Sequence, residues 1–155
     1  MIQDPEVSIY EKDRMPKKPT AARKRVLIIE DDEDVAKILE VLVRGLHADV
    51  LLADDGMTGV ELARTQNPDL ALVDIHLPGI NGLEVIRAIR ATPKLAGLPI
   101  IVITGNSTVE YVRETAKLGA NDFLVKANVL AGDGLDRIEK FLSLPGASSG
   151  KKRKA

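Results

Sequence analysis

Five short apolar runs recur along this chain, each followed by apolar residues at helical spacing, and that alternation limits the possible folds more than any other feature. Val26 to Glu30 reads as a strand, and Asp34 to Arg44 carries Val35, Ile38, Leu39 and Leu42 on one helical face. Asp49 to Ala53 is strand-like; Asp55-Gly56 punctuates it ahead of a second helix bearing Val60, Leu62 and Ala63, which Pro68 stops. Leu70 to Asp74 forms a third strand, and after a Pro-Gly turn Leu83, Val85, Ile86 and Ile89 mark a third helix. Pro99 opens Ile100 to Ile103, which ends at Thr104-Gly105. Val109, Val112, Ala116 and Leu118 outline a fourth helix with Gly119 as its C-cap. Phe123 to Val125 is a fifth strand ending on Lys126, and Leu135, Ile138, Phe141 and Leu142 carry the last helix. Strand and helix in strict alternation predict an α/β domain, a doubly wound five-stranded parallel sheet covered on both faces. Unbroken apolar strands such as Ile100 to Ile103 agree with burial on both sides.

Chain length and composition narrow the chemistry. At 155 residues the chain amounts to one domain with a proper core, built from Val, Ile, Leu and Ala because only two Phe and two Tyr are present. The absence of cysteine excludes disulfides, thiolate metal sites and thiol catalysis. No apolar run reaches membrane-spanning length, and the start lacks a signal peptide, so a soluble cytoplasmic protein without a membrane partner is expected. The net charge of −1 hides an asymmetry: residues 1–25 carry seven Lys/Arg against four Asp/Glu, and Lys151, Lys152, Arg153 and Lys154 close the chain, which leaves residues 26–144 near −8. An acidic body of that kind is not expected to grip nucleic acid. Proline-interrupted residues 1–24 read as a flexible extension, with a short piece around Val7-Ser8-Ile9-Tyr10 that can dock on the body. Residues 25–144 form the domain, and residues 145–155 a flexible basic tail.

In a doubly wound sheet ligands meet the carboxyl ends of the strands. Here the stretch Asp69 to Gly82 has an apolar run that ends on Asp74 and then a turn containing Pro78, Gly79 and Asn81. An ionised Asp is costly to bury without a compensating cation or hydrogen bonds, but at a strand end it can stand in a crevice. The first strand also runs into acids, Glu30, Asp31, Asp32, Glu33 and Asp34. Two strands delivering carboxylates to one rim suggest a site for a hard divalent cation. Taken in turn, the strand ends present Glu30/Asp31, Asp74, Thr104 and Lys126. Each has a plainer reading in isolation: Asp74 as a turn former, Thr104 as a β-branched strand end, Lys126 as a solvated charge, Phe123 as core. Glu33 and Asp34 read as residues that favour a helix start, with Asp32 divided between that role and ligation. His47 reads as a surface or helix-end residue.

With that constellation, roughly residues 25 to 143 resemble the receiver domain of two-component response regulators, of the stand-alone kind typified by the chemotaxis regulator. Pro78, Gly82 and the run Gly119-Ala120-Asn121-Asp122-Phe123 fit the same pattern. The resemblance implies a flavodoxin-like sheet of strand order 2-1-3-4-5. It implies that Asp74 accepts a phosphoryl group from the phosphohistidine of a sensor histidine kinase or a phosphotransfer protein. It further implies that Mg²⁺ is held by Glu30, Asp31, Asp74 and the backbone carbonyl of His76, that Thr104 and Lys126 contact the phosphoryl oxygens, and that Phe123 is the aromatic switch with Thr104. The chemistry agrees: aspartate is a usable nucleophile toward phosphorus, and phosphoryl transfer needs charge neutralisation and positioning above all. The His76 ring is a candidate for tuning phosphoryl lifetime.

One departure from the pattern stands out. The active-site lysine of the family is followed by proline in a cis bond, whereas Lys126 precedes Ala127. A non-prolyl cis bond costs about 3–4 kcal/mol, so a trans bond and an altered path for Ala127-Asn128-Val129-Leu130 are expected. The leading expectation is therefore a single-domain response regulator and not an enzyme beyond self-catalysed phosphoryl transfer and autodephosphorylation. It would switch a surface for a downstream protein target or pass the group along a phosphorelay, with a homodimer as an allowed state. A receiver-like adaptor that acts without phosphorylation is the alternative, which the change at Ala127 favours.

Overall fold

The computed structural model describes residues 23–105 and 109–143. Period-two alternation sorts the strand side chains onto two faces. The strands are β1 (Arg25–Ile29), β2 (Asp49–Ala53), β3 (Leu70–Asp74), β4 (Ile100–Thr104) and β5 (Asp122–Val125). All neighbours are parallel and the order is β2-β1-β3-β4-β5, as the resemblance implies. The helices are α1 (Glu33–Gly45), α2 (Gly56–Gln66), α3 (Gly82–Ala91), α4 (Val109–Leu118) and α5 (Asp133–Ser143). Leu27, Ile29, Ala71, Val73, Ile100 and Val102 form one face, covered by Val60 and Ala63 of α2, Val85, Ile86 and Ile89 of α3, and Tyr111 and Leu118 of α4. Val26, Ile28, Leu70, Leu72, Ile101 and Ile103 form the other, covered by Leu39 and Val43 of α1 and Ile138 and Phe141 of α5. Every residue of β3 and β4 is buried, so these central strands read as continuous runs.

The helix ends follow local chemistry. Asp32 caps α1, its side chain accepting from the amides of Asp34 at 2.9 Å and Val35 at 3.2 Å, with Glu33 and Asp34 in the first turn. Asp55 caps α2 by accepting from the Thr58 amide at 2.8 Å. That helix ends on Asn67 in the left-handed region, with Pro68 beyond it. Gly119, φ +110°, turns the chain from α4 toward β5 as a residue without Cβ can. His47, exposed and also at positive φ (64°), ends the α1 turn, as read from sequence. The strand and helix bounds expected from sequence agree to within one or two residues.

The amino ends of β4 and β5 are tied by Arg90, whose half-buried guanidinium donates to the carbonyl of Gly119 at 2.7 and 3.1 Å, to that of Leu95 at 3.1 Å and to Asn121 Oδ1 at 3.1 Å. Asn121 Oδ1 in turn accepts from the Ile100 amide at 2.8 Å. Burial lowers the pKa of Arg90, yet four acceptor contacts satisfy its charge. Among the described residues no helix is long and apolar enough to cross a membrane. The expected extension up to residue 22, with its Val7 to Tyr10 piece, and the tail from 145 lie outside the described residues.

Close packing fixes where β3 hands over to α3. The Gly82 amide donates to the Ile75 carbonyl at 2.8 Å, and a Cβ on Gly82 would stand 2.4 Å from the Asp74 carbonyl oxygen and 2.6 Å from the Ile75 Cα. Those atoms are backbone and cannot rotate aside. Gly82→Ala is therefore expected to destabilise the fold by about 3 kcal/mol, the upper part of the range for overpacking, and urea denaturation will measure it.

Candidate functional site

Asp74 is the last residue of β3 and wholly buried, and Glu30 follows β1 at 3 % exposure. Their strands are neighbours in register, Ile29 opposite Val73, which sets the two carboxylates side by side at one rim of the sheet. Lys126, the first residue past β5, reaches across from 96 positions away in sequence. Its ammonium meets Glu30 Oε2 and Asp74 Oδ2, each at 3.3 Å. Asp74 Oδ1 accepts from the His76 amide at 3.2 Å, and Glu30 Oε2 from the Asp32 amide at 3.1 Å. Carboxylate oxygens of Glu30, Asp31 and Asp74 lie within 4.8 Å of one another. Thr104, almost fully buried, ends β4 on the same rim, where it pairs with Val125 just before Lys126.

The electrostatics of this cluster are unbalanced. Two of the three carboxylates, Glu30 and Asp74, share the Lys126 ammonium, Asp31 stands beside them, and Glu30 Oε1 is buried with no hydrogen-bond partner among the described residues. Burial is the largest influence on Glu30 and pushes its carboxyl up from 4.5 to about 7; the Asp32 amide opposes the rise, the charge of Asp74 adds to it, and Lys126 draws it back. For Lys126 burial alone would lower the pKa, but the charges of Asp74 and Glu30 outweigh it and the ammonium is held above its usual range. A buried acceptor without a donor costs about 1–3 kcal/mol, a cost that a cation bound among these carboxylates would relieve. Oxygen donors, crowded negative charge and an exposed Asp31 at the mouth fit a hard ion such as Mg²⁺. Beside Glu30 and Asp31 a cleft of about 480 Å³ opens between the start of α1 and the β2–α2 turn, lined also by Glu33, Leu52, Asp54 and Thr58.

Glu30, Asp31, Asp74, Thr104, Lys126 and His76 thus gather at one rim. Asp32, Glu33 and Asp34 serve the start of α1. Phe123 stands apart on β5, opposite Val102, half-buried with the Arg137 guanidinium 5.7 Å over its ring. Arg137 also pairs with Asp122 and, at 3.0 Å, with Asp133. The Lys126–Ala127 bond is trans, as expected, and Lys126–Ala131 winds into a short 3-10 helix that buries Val129 and leaves Leu130 exposed. Two features close to Asp74 escaped the sequence reading. Asn81 and Glu84 form a reciprocal capping box, each side chain accepting from the other's amide at 3.0 Å, which anchors the loop leaving Asp74; the N-x-x-E spacing was the available signal. The second is a contact between the rings of His76 and Tyr111 at 5.7 Å and 86°, for which sequence offers no signal.

Comparison with known proteins agrees with this geometry. The family model described as response regulator receiver domain matches residues 26–131. The DNA-binding response regulator MtrA of Mycolicibacterium paratuberculosis is 35% identical over 104 residues, 67% of this chain and 45% of that protein. The chain thus spans about half the length of the curated relatives it matches. Among solved structures, a response regulator of Chloroflexus aurantiacus superposes with a TM-score of 0.73 at 29% identity, covering 79% of this chain and 100% of the other. The receiver domain of a Pseudomonas aeruginosa sensor histidine kinase, solved with a magnesium ion coordinated in its active site cleft, gives 0.68 at 29% identity over 79% of this chain and 100% of its own.

Proposed function

Because the chain belongs to the response regulator receiver domain family, we propose that Asp74 is its phosphoacceptor, in a Mg²⁺-dependent switch fed by a histidine kinase or phosphotransfer protein. The observation that carries this reading is the buried Asp74 carboxylate held between the Lys126 ammonium and the His76 amide, beside Glu30 and Asp31, with Glu30 Oε1 buried and without a hydrogen-bond partner among the described residues. A carboxylate oxygen of Asp74 forms the new P–O bond while the donor's P–N bond breaks and its imidazole departs. Lys126 and the Thr104 hydroxyl meet the charge that spreads over the phosphoryl oxygens. Glu30, Asp31, Asp74 and the His76 carbonyl would hold the metal. When bound, Mg²⁺ supplies the charge neutralisation between those carboxylates and the incoming group.

Phosphorylation adds charge and acceptor oxygens next to Thr104, with Phe123 as the aromatic element that responds. Output through a downstream protein or an onward relay is favoured by the acid-rich body, near −8 over residues 26–144, which opposes direct contact with nucleic acid. DNA binding is a description of MtrA. The same reading places the protein in the cytoplasm with its donor and makes it a signalling protein whose only chemistry is gain and loss of its own phosphoryl group. The adaptor alternative drew support from Ala127, yet Lys126 keeps both carboxylates at 3.3 Å despite the missing proline. Acetyl phosphate with Mg²⁺ is expected to add one phosphoryl mass to the intact protein, and chelation of the metal to prevent it. An unlabelled protein under both conditions overturns the proposal in favour of the adaptor.

A further inference from the structure

We propose that Tyr111 is a positioning residue for the phosphoacceptor, acting through the His76 ring; the inference rests on the reading of Asp74 given above. His76 is the residue whose amide donates to Asp74 Oδ1 at 3.2 Å, while Lys126 holds the other oxygen. It sits in irregular chain just after β3, exposed, between the buried Ile75 and Leu77. The peptide carrying that amide is held at its Ile75 end, where the carbonyl accepts from the Gly82 amide at 2.8 Å and the Ile75 amide donates to the Ile103 carbonyl at 3.1 Å; at its other end, the His76 Cα, its orientation turns on the contacts that residue 76 makes. The ring of His76 meets the ring of Tyr111 edge to face, centroids 5.7 Å apart and planes at 86°. Tyr111 lies in the first turn of α4, half-buried, and packs on the apolar cluster formed by the strands with α2 and α3. It is the anchored member of the pair; His76 is the held one.

A continuous path therefore runs from the core through Tyr111 and His76 to one oxygen of the nucleophile. Edge-to-face pairs of this kind are modest individually, so loss of the contact loosens the carboxylate without dismantling the site.

The test uses the full chain with saturating acetyl phosphate and Mg²⁺, following phosphoryl uptake by intact mass. Tyr111→Leu keeps apolar bulk and removes the ring; uptake is expected to slow about three- to tenfold. Tyr111→Phe keeps the ring and is expected to stay within about twofold of the unaltered protein. His76→Ala should slow uptake as Tyr111→Leu does, and the double variant should be no slower than His76→Ala alone, since both changes break one path. An unaltered rate in Tyr111→Leu, equal slowing by Tyr111→Phe, or multiplied losses in the double variant overturns the assignment. Labelling of the unaltered chain with an unchanged Leu variant sinks this inference alone, whereas no labelling of the unaltered chain sinks the phosphoacceptor reading and this one with it.

Discussion

Asp74→Asn abolishes phosphoryl uptake from acetyl phosphate, a fall of about 10³-fold or more, because an amide oxygen is a poor nucleophile toward phosphorus and the substitution keeps shape while removing charge. The variant should fold. Asn retains an oxygen that can accept from the His76 amide, which now reaches Asp74 Oδ1 at 3.2 Å. Removing the Asp74 charge also relieves one of the influences that hold Glu30 near 7, so Glu30 and Lys126 remain a balanced pair at 3.3 Å. Intact mass before and after incubation, with Mg²⁺ present, reads the outcome directly. A variant that still gains one phosphoryl mass at the original rate would place the acceptor elsewhere and remove the basis for the switch. Asp31→Asn is the informative companion. Asp31 is exposed and belongs to the acid cluster without touching Lys126, so its loss should weaken the metal and slow uptake without abolishing it.

How much of this was legible in the sequence depends on the range over which each interaction acts. β3 and its terminal carboxylate were legible because an apolar run of strand length ended on Asp74 before a proline-glycine turn, a local pattern with a local cause. The acids after β1 were legible for the same reason, and the division between Glu30 as a site residue and Asp32 as a helix cap follows from where the strand stops and α1 begins. Strand order was carried by the resemblance, since periodicity says which residues face inward and not which strands are neighbours. The contact between Lys126 and Glu30 joins residues 96 apart, and no spacing rule predicts it. The Arg90 tie to Gly119 and Asn121, the Arg137 guanidinium over Phe123 and the His76–Tyr111 pair are of the same long-range kind. Each depends on a side chain's direction after the helices have docked, which composition and period leave free. The exchange of proline for Ala127 was visible, and the trans bond expected from it is present, with Lys126 at the end of β5 held by two carboxylates at 3.3 Å.

Glu30→Gln is expected to make the metal-free protein more stable at pH 8 and to remove its response to Mg²⁺. In the fold Glu30 titrates at about 7 against an ordinary 4.5, so the folded chain holds this proton more tightly than the unfolded chain. A raised carboxyl contributes stability that is fully present below pH 4.5 and is lost as the pH climbs through 7. With 1.36 kcal/mol per pH unit, that loss amounts to about 3 kcal/mol by pH 8. Burial is the main cause, through the desolvated charge and the orphaned Oε1. Gln cannot ionise, so the variant lacks this loss, and its amide oxygen still accepts from the Asp32 amide. Its melting point without metal should therefore exceed that of the unaltered protein at pH 8, by an amount equivalent to roughly 1–3 kcal/mol, and fall toward parity at pH 5. Mg²⁺ acts in the opposite sense on the unaltered protein: a ligand that binds the ionised cluster stabilises it by mass action and displaces the proton, so its melting point should rise with metal, and more at pH 8 than at pH 6. In Glu30→Gln the same titration should move the melting point little. Thermal melts of both proteins across pH, each with and without Mg²⁺, measure all four quantities. A variant less stable than the parent at pH 8, or one that keeps the full metal response, would mean that Glu30 is a structural ion-pair partner of Lys126 and not the charge the cation is there to satisfy.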